Sequence, residues 1–339
     1  MLRFLIPAVW SVLGALALPA GAQTIIAPPA APAIGIGYEG VSYPHPVSFL
    51  QVEIAGHVVR MAFMDVAPAG PAKGTVLLFH GKNFASDYWA PAIKGLRDAR
   101  WRVIAPDQIG FGKSSKSDLR YTFDMLAGST VVLLDALGVR DAHVIGNSMG
   151  GMVAVHFTRL NPSRVTRLVL ENPLGLEDYT STIPPQTTDN LIKLEMAQTE
   201  DSYRRFVRSY FPVWRDDYLS FIRVFVGVQA SAEYPRFAKV SALTYQMIHE
   251  QPILAALPTI KVPTLLVIGQ RDRTVFGRRF APPEVVKDLG NFPVLGKAAA
   301  KAMPNARLIE IDEAGHVPHL EVPEKFLAAV TAFFDAGKP

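Results

Sequence analysis

The chain of 339 residues has no cysteine. It therefore forms no disulfide and cannot be lipidated on an N-terminal cysteine. A strong charge imbalance is also missing, because 34 basic against 30 acidic side chains leave a formal charge of only +4. The basic residues gather mildly between Arg271 and Arg307. They lack the interleaved aromatics of a nucleic-acid platform, so no nucleic-acid partner is expected. No repeat of about 20–50 residues is visible. Nearly half the residues, 49%, are apolar and 10% are aromatic, which excludes a low-complexity or disordered chain. A core of this size needs neither disulfide nor metal to hold it.

The opening residues "MLRFLIPAVWSVLGALALPAGAQT" combine Arg3, an uncharged apolar run and Ala20-Gly21-Ala22. That is the pattern of a secretory signal over residues 1–22, cleaved after Ala22. The run from Phe4 to Ala22 could also just span a bilayer as an anchor; Pro19 and the small-residue site favour cleavage. The expectation is an exported protein, periplasmic or secreted, with no stable membrane association after cleavage. Residues 23–46, rich in proline and glycine, read as an extended arm rather than a folded unit.

"VSFLQVEIAG" and "HVVRMAFMDVAP" read as paired antiparallel strands joined near Gly56. The rhythm then becomes strand, loop, helix: "GTVLLFHG", "WRVIAPD", "AHVIGNS" and "VTRLVLEN" are short apolar strands with helical stretches between them. Such alternation predicts an α/β fold, a mostly parallel, doubly wound sheet covered on both faces. It stops from about Pro173 to Leu257, a helical and aromatic-rich stretch, and resumes at "TLLVIG" and "ARLIEID". The expected organisation is a core of residues 47–172 and 258–339 with a helical cap at 173–257. In "YRRFVRSYFPVWRDDYLSFIRVF", Phe206, Tyr210, Trp214 and Tyr218 recur at steps of four, as a helical stripe of cap core or pocket wall.

Sites in such sheets lie at the carboxyl ends of the strands. There stands "HVIGNSMGGMVAV", where an apolar strand ends on Ser148 between Gly146, Gly150 and Gly151. Two adjacent glycines at the start of a helix each cost roughly 1 kcal/mol against alanine, so stability did not select them. G-x-S-x-G between strand and helix is a nucleophile elbow, a sharp turn that lifts the serine hydroxyl above the sheet. A base and an orienting carboxylate must accompany it. His316, in "EAGHVPHLEVPEKF", is the candidate base, with His319 its rival; a metal pair of the two lacks further ligands at useful spacing. Asp272, in "TLLVIGQRDRTV", is the candidate carboxylate, with Glu171 the alternative. Oxyanion donors are expected in the backbone N–H of Met149 and of Lys82, with Asn83 the alternative to Lys82. His80 is read as holding that loop. "GFGKSSK" resembles the end of a phosphate-binding loop, but Asp107 stands where its first glycine should be, which leaves a polar turn.

"LFHGKNF", "APDQIGFGKSS", "GNSMGGM", "GQRDRTV" and "GHVPHLEVPEKF", in this order, resemble the α/β-hydrolase superfamily of serine hydrolases over nearly the whole mature chain. The resemblance implies a Ser148–His316–Asp272 triad, no cofactor or metal, and a cap shaping the pocket for a small-molecule, ester-like substrate. Serine at the elbow argues against the superfamily's epoxide hydrolases and haloalkane dehalogenases. Asn147 stands where histidine is common, and "GNSMGG" is similar to meta-cleavage-product hydrolases, which cut C–C bonds. Those usually carry an aromatic residue soon after the histidine, where this chain has Val317 and Pro318. The expected activity is hydrolysis of a carboxylic ester or lactone of small to medium size. C–C hydrolysis, a low-turnover ligand-binding or sensory role, and amide hydrolysis stay open. The segment 273–305 is read as a helix with a long loop, or an extra flap near the acid.

Overall fold

Strand β1 (Val47–Ile54) turns at Ala55 and Gly56 into β2 (His57–Val66), and the two pair antiparallel. Both turn residues have positive φ, 49° and 79°, the handedness that suits two twisted strands. The structure, a computed structural model, describes residues 32–336. The segment read as a signal, residues 1–22, lies outside the described residues, as does the start of the arm. After β2 the alternation begins with β3 (Thr75–Phe79), α1 (Ala90–Asp98), β4 (Arg102–Pro106), α2 (Phe123–Ala136), β5 (Ala142–Asn147), α3 (Met149–Leu160) and β6 (Val165–Glu171). The chain then leaves the sheet for α4 (Thr188–Met196), α5 (Glu200–Arg208), α6 (Leu219–Gln229) and α7 (Tyr234–Glu250). It returns as β7 (Thr264–Gly269), a single-turn α8 (Pro283–Val286), α9 (Phe292–Ala302), β8 (Ala306–Ile311), α10 (Pro318–Glu321) and α11 (Pro323–Asp335).

The described strands form one sheet in the order β1-β2-β4-β3-β5-β6-β7-β8. It is parallel from β4 to β8, with β2 antiparallel to β4 at the other side. Alternate side chains enter two cores: Leu77 and Phe79 point to one face, Val76 and Leu78 to the other. That period of two explains why the strand reads as one unbroken apolar run. Helices α2, α3 and α9 cover the first face, α1 and α11 the second. Thr122 fixes the start of α2 by accepting the N–H of Met125 at 3.0 Å.

One helical expectation fails. Phe206, Tyr210, Trp214 and Tyr218 do not share a helix, because α5 ends at Arg208 and α6 begins only at Leu219. Pro212 lacks an N–H and disfavours helical geometry in the residue before it. The break divides the group: Phe206 and Tyr210 face a cavity, while Trp214 and Tyr218 pack against Phe211. The segment 273–305 holds the short α8 and the longer α9 with loops around them.

Candidate active site

The elbow is built by close approach. A Cβ on Gly146 would stand 2.3 Å from the carbonyl oxygen of Gly150, and one on Gly150 would stand 2.0 Å from that of Phe79. Both contacts are to backbone, so neither position admits a side chain. Ser148 itself takes φ 55° and ψ −122°, a strained conformation that costs about 1–3 kcal/mol in a non-glycine residue. Its backbone is fixed on both sides: its N–H donates to Glu171 O at 3.1 Å, and its carbonyl accepts from Gly151 and Leu174. Ser148 thereby faces a cavity of about 730 Å³ between the strand ends and helices α4–α7, within the size range of small-molecule sites.

Asp272 follows β7 and His316 follows β8, and the two meet: His316 Nδ1 lies 2.7 Å from Asp272 Oδ2, with both side chains about 1% exposed. A ring N–H donating from Nδ1 leaves Nε2 as the basic nitrogen. Nε2 is buried and makes no hydrogen bond among the described residues, so no bond joins it to Ser148 Oγ. Contacts of this kind often tighten only when substrate binds. Asn172, which follows β6, supports the carboxylate. Its Nδ2 donates to Asp272 Oδ2 at 2.7 Å and its Oδ1 accepts from the N–H of Gly269 at 3.0 Å. Thr274 N–H donates to Asp272 Oδ1 at 2.8 Å. Asn172 was not anticipated from the sequence; its position beside Glu171 at a strand end is the only available signal.

The alternatives fall into other roles. Glu171 accepts the backbone N–H of His319 at 2.6 Å and contacts the His319 ring Nδ1 at 2.7 Å, both groups fully buried. His319 also stacks on Trp89, with centroids 3.8 Å apart. His316 and His319 thus engage different carboxylates. Glu321, also unanticipated, accepts from the N–H groups of Gly315 and Val317, both at 2.9 Å, and so grips the loop on either side of His316. Burial pushes its carboxyl up to about 7 against these two donors.

On the opposite side, His80 holds its loop. Nδ1 contacts Gly81 O at 2.8 Å and Nε2 accepts from the N–H of Gln108 at 3.0 Å. Burial lowers its pKa, which favours the neutral ring that this pairing requires. The N–H of Gly81 is spent on Tyr88 Oη at 3.0 Å. The N–H groups of Lys82 and Met149 have no acceptor among the described residues. Met149 opens α3, where the N–H groups lack intrahelical partners and the helix dipole favours negative charge. The Lys82 side chain runs along the cavity to Ser241 Oγ at 3.0 Å, and Ser241 donates to Glu195 Oε2 at 3.0 Å. Burial lowers the Lys82 pKa, partly offset by Glu195. Asn83, the alternative donor residue, uses its side-chain Nδ2 to donate to Tyr210 Oη at 2.8 Å. Tyr210 then stacks over His316 with centroids 4.7 Å apart and accepts the His316 N–H at 2.9 Å. Its role was hidden because the sequence pattern placed it on a helix.

A strained serine at the carboxyl edge of a parallel sheet, with a buried Asp–His pair after the last two strands, is the arrangement of one fold family. The family model described as "alpha/beta hydrolase fold" matches residues 74–323. The chain belongs to the alpha/beta hydrolase fold family. Among solved relatives of this alpha/beta hydrolase is a probable hydrolytic enzyme from Pseudomonas aeruginosa PAO1, with a TM-score of 0.88 and 39% identity, covering 91% of this chain and all of the other. A 2-hydroxy-6-oxononadienedioate/2-hydroxy-6-oxononatrienedioate hydrolase from Paraburkholderia xenovorans (strain LB400) is 28% identical over 301 residues, 84% of this chain and 94% of the relative. An enol-lactonase from Burkholderia xenovorans LB400 shares the fold, with a TM-score of 0.65, 23% identity and coverage of 84% and 99%.

Proposed function

We propose that this alpha/beta hydrolase is a serine hydrolase acting on a carboxylic ester or lactone of small to medium size. The observation that carries the reading is the strained Ser148 facing the cavity beside a buried Asp272–His316 pair whose Nε2 has no hydrogen-bond partner among the described residues. In the proposed reaction, His316 Nε2 takes the proton of Ser148 as Oγ attacks the substrate carbonyl. Asp272 holds the Nδ1–H and stabilises the imidazolium. The N–H groups of Met149 and Lys82 hold the oxyanion. The imidazolium returns its proton to the departing alkoxide, leaving an acyl-enzyme. Water, deprotonated by His316, then attacks the acyl carbon; the acid leaves and Ser148 recovers its proton. Helices α4–α7 act as a cap that shapes the pocket. No cofactor enters this scheme.

A C–C hydrolase is the second reading, favoured by Asn147 before the nucleophile and by the relative named as a 2-hydroxy-6-oxononadienedioate hydrolase. Turnover is to be measured on p-nitrophenyl esters, on lactones and on a vinylogous diketone, with Ser148→Ala as control. Ester or lactone turnover that disappears in the variant supports the first reading, and diketone turnover alone replaces it with the second. Tight binding with one slow acylation would indicate a sensory role.

Export is also proposed, on Arg3, the apolar run and Ala20-Gly21-Ala22. Intact mass of the exported protein should begin at Gln23; a mass that includes Arg3 contradicts it. Among the described residues, no helix is long and apolar enough to cross a membrane.

A further inference from the structure

Residues 34–43 precede the first strand and form no helix or strand, yet they are held at both ends. The N–H of Ile34 donates to Gly227 O of α6 at 2.8 Å. The approach is so close that a Cβ on Gly227 would stand 2.6 Å from the Ile34 side chain. Ile36, 6% exposed, packs with Val228 of α6 and Tyr234 of α7. At the other end Tyr43 Oη donates to Asp107 Oδ2 at 2.8 Å, and Lys113 Nζ donates to the Tyr38 carbonyl at 2.8 Å. The segment is a strap from the helices above the cavity to the loop after β4.

Between these anchors lies Tyr38, with φ 56°, a conformation uncommon for a residue with a bulky side chain. The turn is closed by Tyr38 N–H on Gly35 O at 2.9 Å and Val41 N–H on Tyr38 O at 3.1 Å. It directs the tyrosine into the cavity wall. The buried Lys116 stands 5.3 Å from the ring centroid. Ser148 follows β5 and the loop holding Tyr38 follows β4, with β3 between them. Two strand spacings separate those tips by roughly 10 Å. Tyr38 packs with Val224, Val228 and Phe237, which also line the cavity, while Lys116 and Asp87 flank it on the polar side.

We propose that Tyr38, packed against this apolar patch of the cavity wall, sets the longest substrate chain that the cavity accepts. The inference rests on the serine esterase reading for its substrate, and it gives the strap a role in specificity. Removing the ring should open more room for the chain on this side of the cavity, and enlarging it should leave less.

The test measures kcat/KM for p-nitrophenyl esters from acetate to decanoate with the wild type, Tyr38→Ala and Tyr38→Trp. The Tyr38→Ala optimum is expected to move to longer chains, each additional methylene that fits adding about fourfold, while Tyr38→Trp moves to shorter ones. Thermal melts verify folding, and Tyr38→Trp still decides the matter if Tyr38→Ala does not fold. An unchanged optimum in a folded variant overturns the assignment, while Ser148-dependent ester turnover leaves the esterase reading intact. If the wild type hydrolyses no ester, that reading fails by itself. Calorimetric titration with carboxylates from butanoate to decanoate then reads the wall without chemistry. Tighter binding of the longer members to Tyr38→Ala supports the proposal, and the same length dependence in both proteins overturns it.

Discussion

Asn147 Nδ2 donates to the backbone carbonyl of His316 at 3.0 Å, tying the residue before the serine directly to the histidine loop. The same amide donates to Glu171 O at 3.2 Å, and its Oδ1 accepts from Tyr88 Oη at 3.1 Å. Tyr88 in turn accepts from Gly81 N–H. One fully buried side chain thus locks together the serine elbow, the histidine loop and the loop before Lys82. Asn147→Ala leaves these groups unpaired in the interior, at about 1–3 kcal/mol of stability per group. A urea titration should show a lower midpoint with an unchanged slope, and kcat should fall more than KM rises.

Asn172 performs the corresponding task for Asp272. Asn172→Asp would place a second carboxylate 2.7 Å from Asp272, and two such groups cannot both ionise, so one pKa rises sharply. The folded state then holds a proton that the unfolded chain releases, and stability is lost as pH rises through that pKa. Losing the hydrogen bond to charged Asp272 should cost about 1.5–3 kcal/mol, or at least about tenfold in kcat/KM at pH 8. Stability and kcat/KM that match wild type across the pH range would contradict this role.

Asp87 lines the cavity, and burial, with Asp107 nearby, pushes its carboxyl up to about 7 from an ordinary 3.8. Between these values the folded protein keeps a proton that the unfolded chain has released. The fold therefore loses stability as pH rises across that window and regains none above it. Asp87→Asn removes the slope. Its advantage over wild type should grow between pH 5 and pH 8 in urea unfolding; an equal difference at both values contradicts the assignment.

Gly150 and Gly128 make opposite predictions. A Cβ on Gly150 meets backbone at 2.0 Å, whereas one on Gly128, in α2, meets nothing within 4 Å. Gly150→Ala should cost about 3 kcal/mol or more, the upper part of the range for overpacking. Gly128→Ala should stabilise by roughly 0.5–1 kcal/mol, by reducing the freedom of the unfolded chain and improving helix propensity. Thermal melts of the two variants check both signs.

The sheet was legible because strands buried on both faces leave unbroken apolar runs, as in "TVLLF" and "TLLVIG". Ser148, Asp272 and His316 could be nominated as candidates because each follows a strand and local glycines mark the turns. Asn172 escaped, since its contact with Asp272 depends on β6 lying beside β7, a pairing between residues a hundred apart in sequence. Tyr210 was misplaced because a spacing of four looked helical across Pro212. Tyr38 was unreadable for a related reason: only the folded helices α6 and α7 give the strap something to pack on.

The most direct test of the account is where an electrophile lands. The protein is treated with a fluorophosphonate and the modified residue is located by peptide mass spectrometry. One adduct is expected, on Ser148, absent from Ser148→Ala and much slower to form in His316→Ala. An adduct on another residue, or ester turnover that persists in Ser148→Ala, would contradict it.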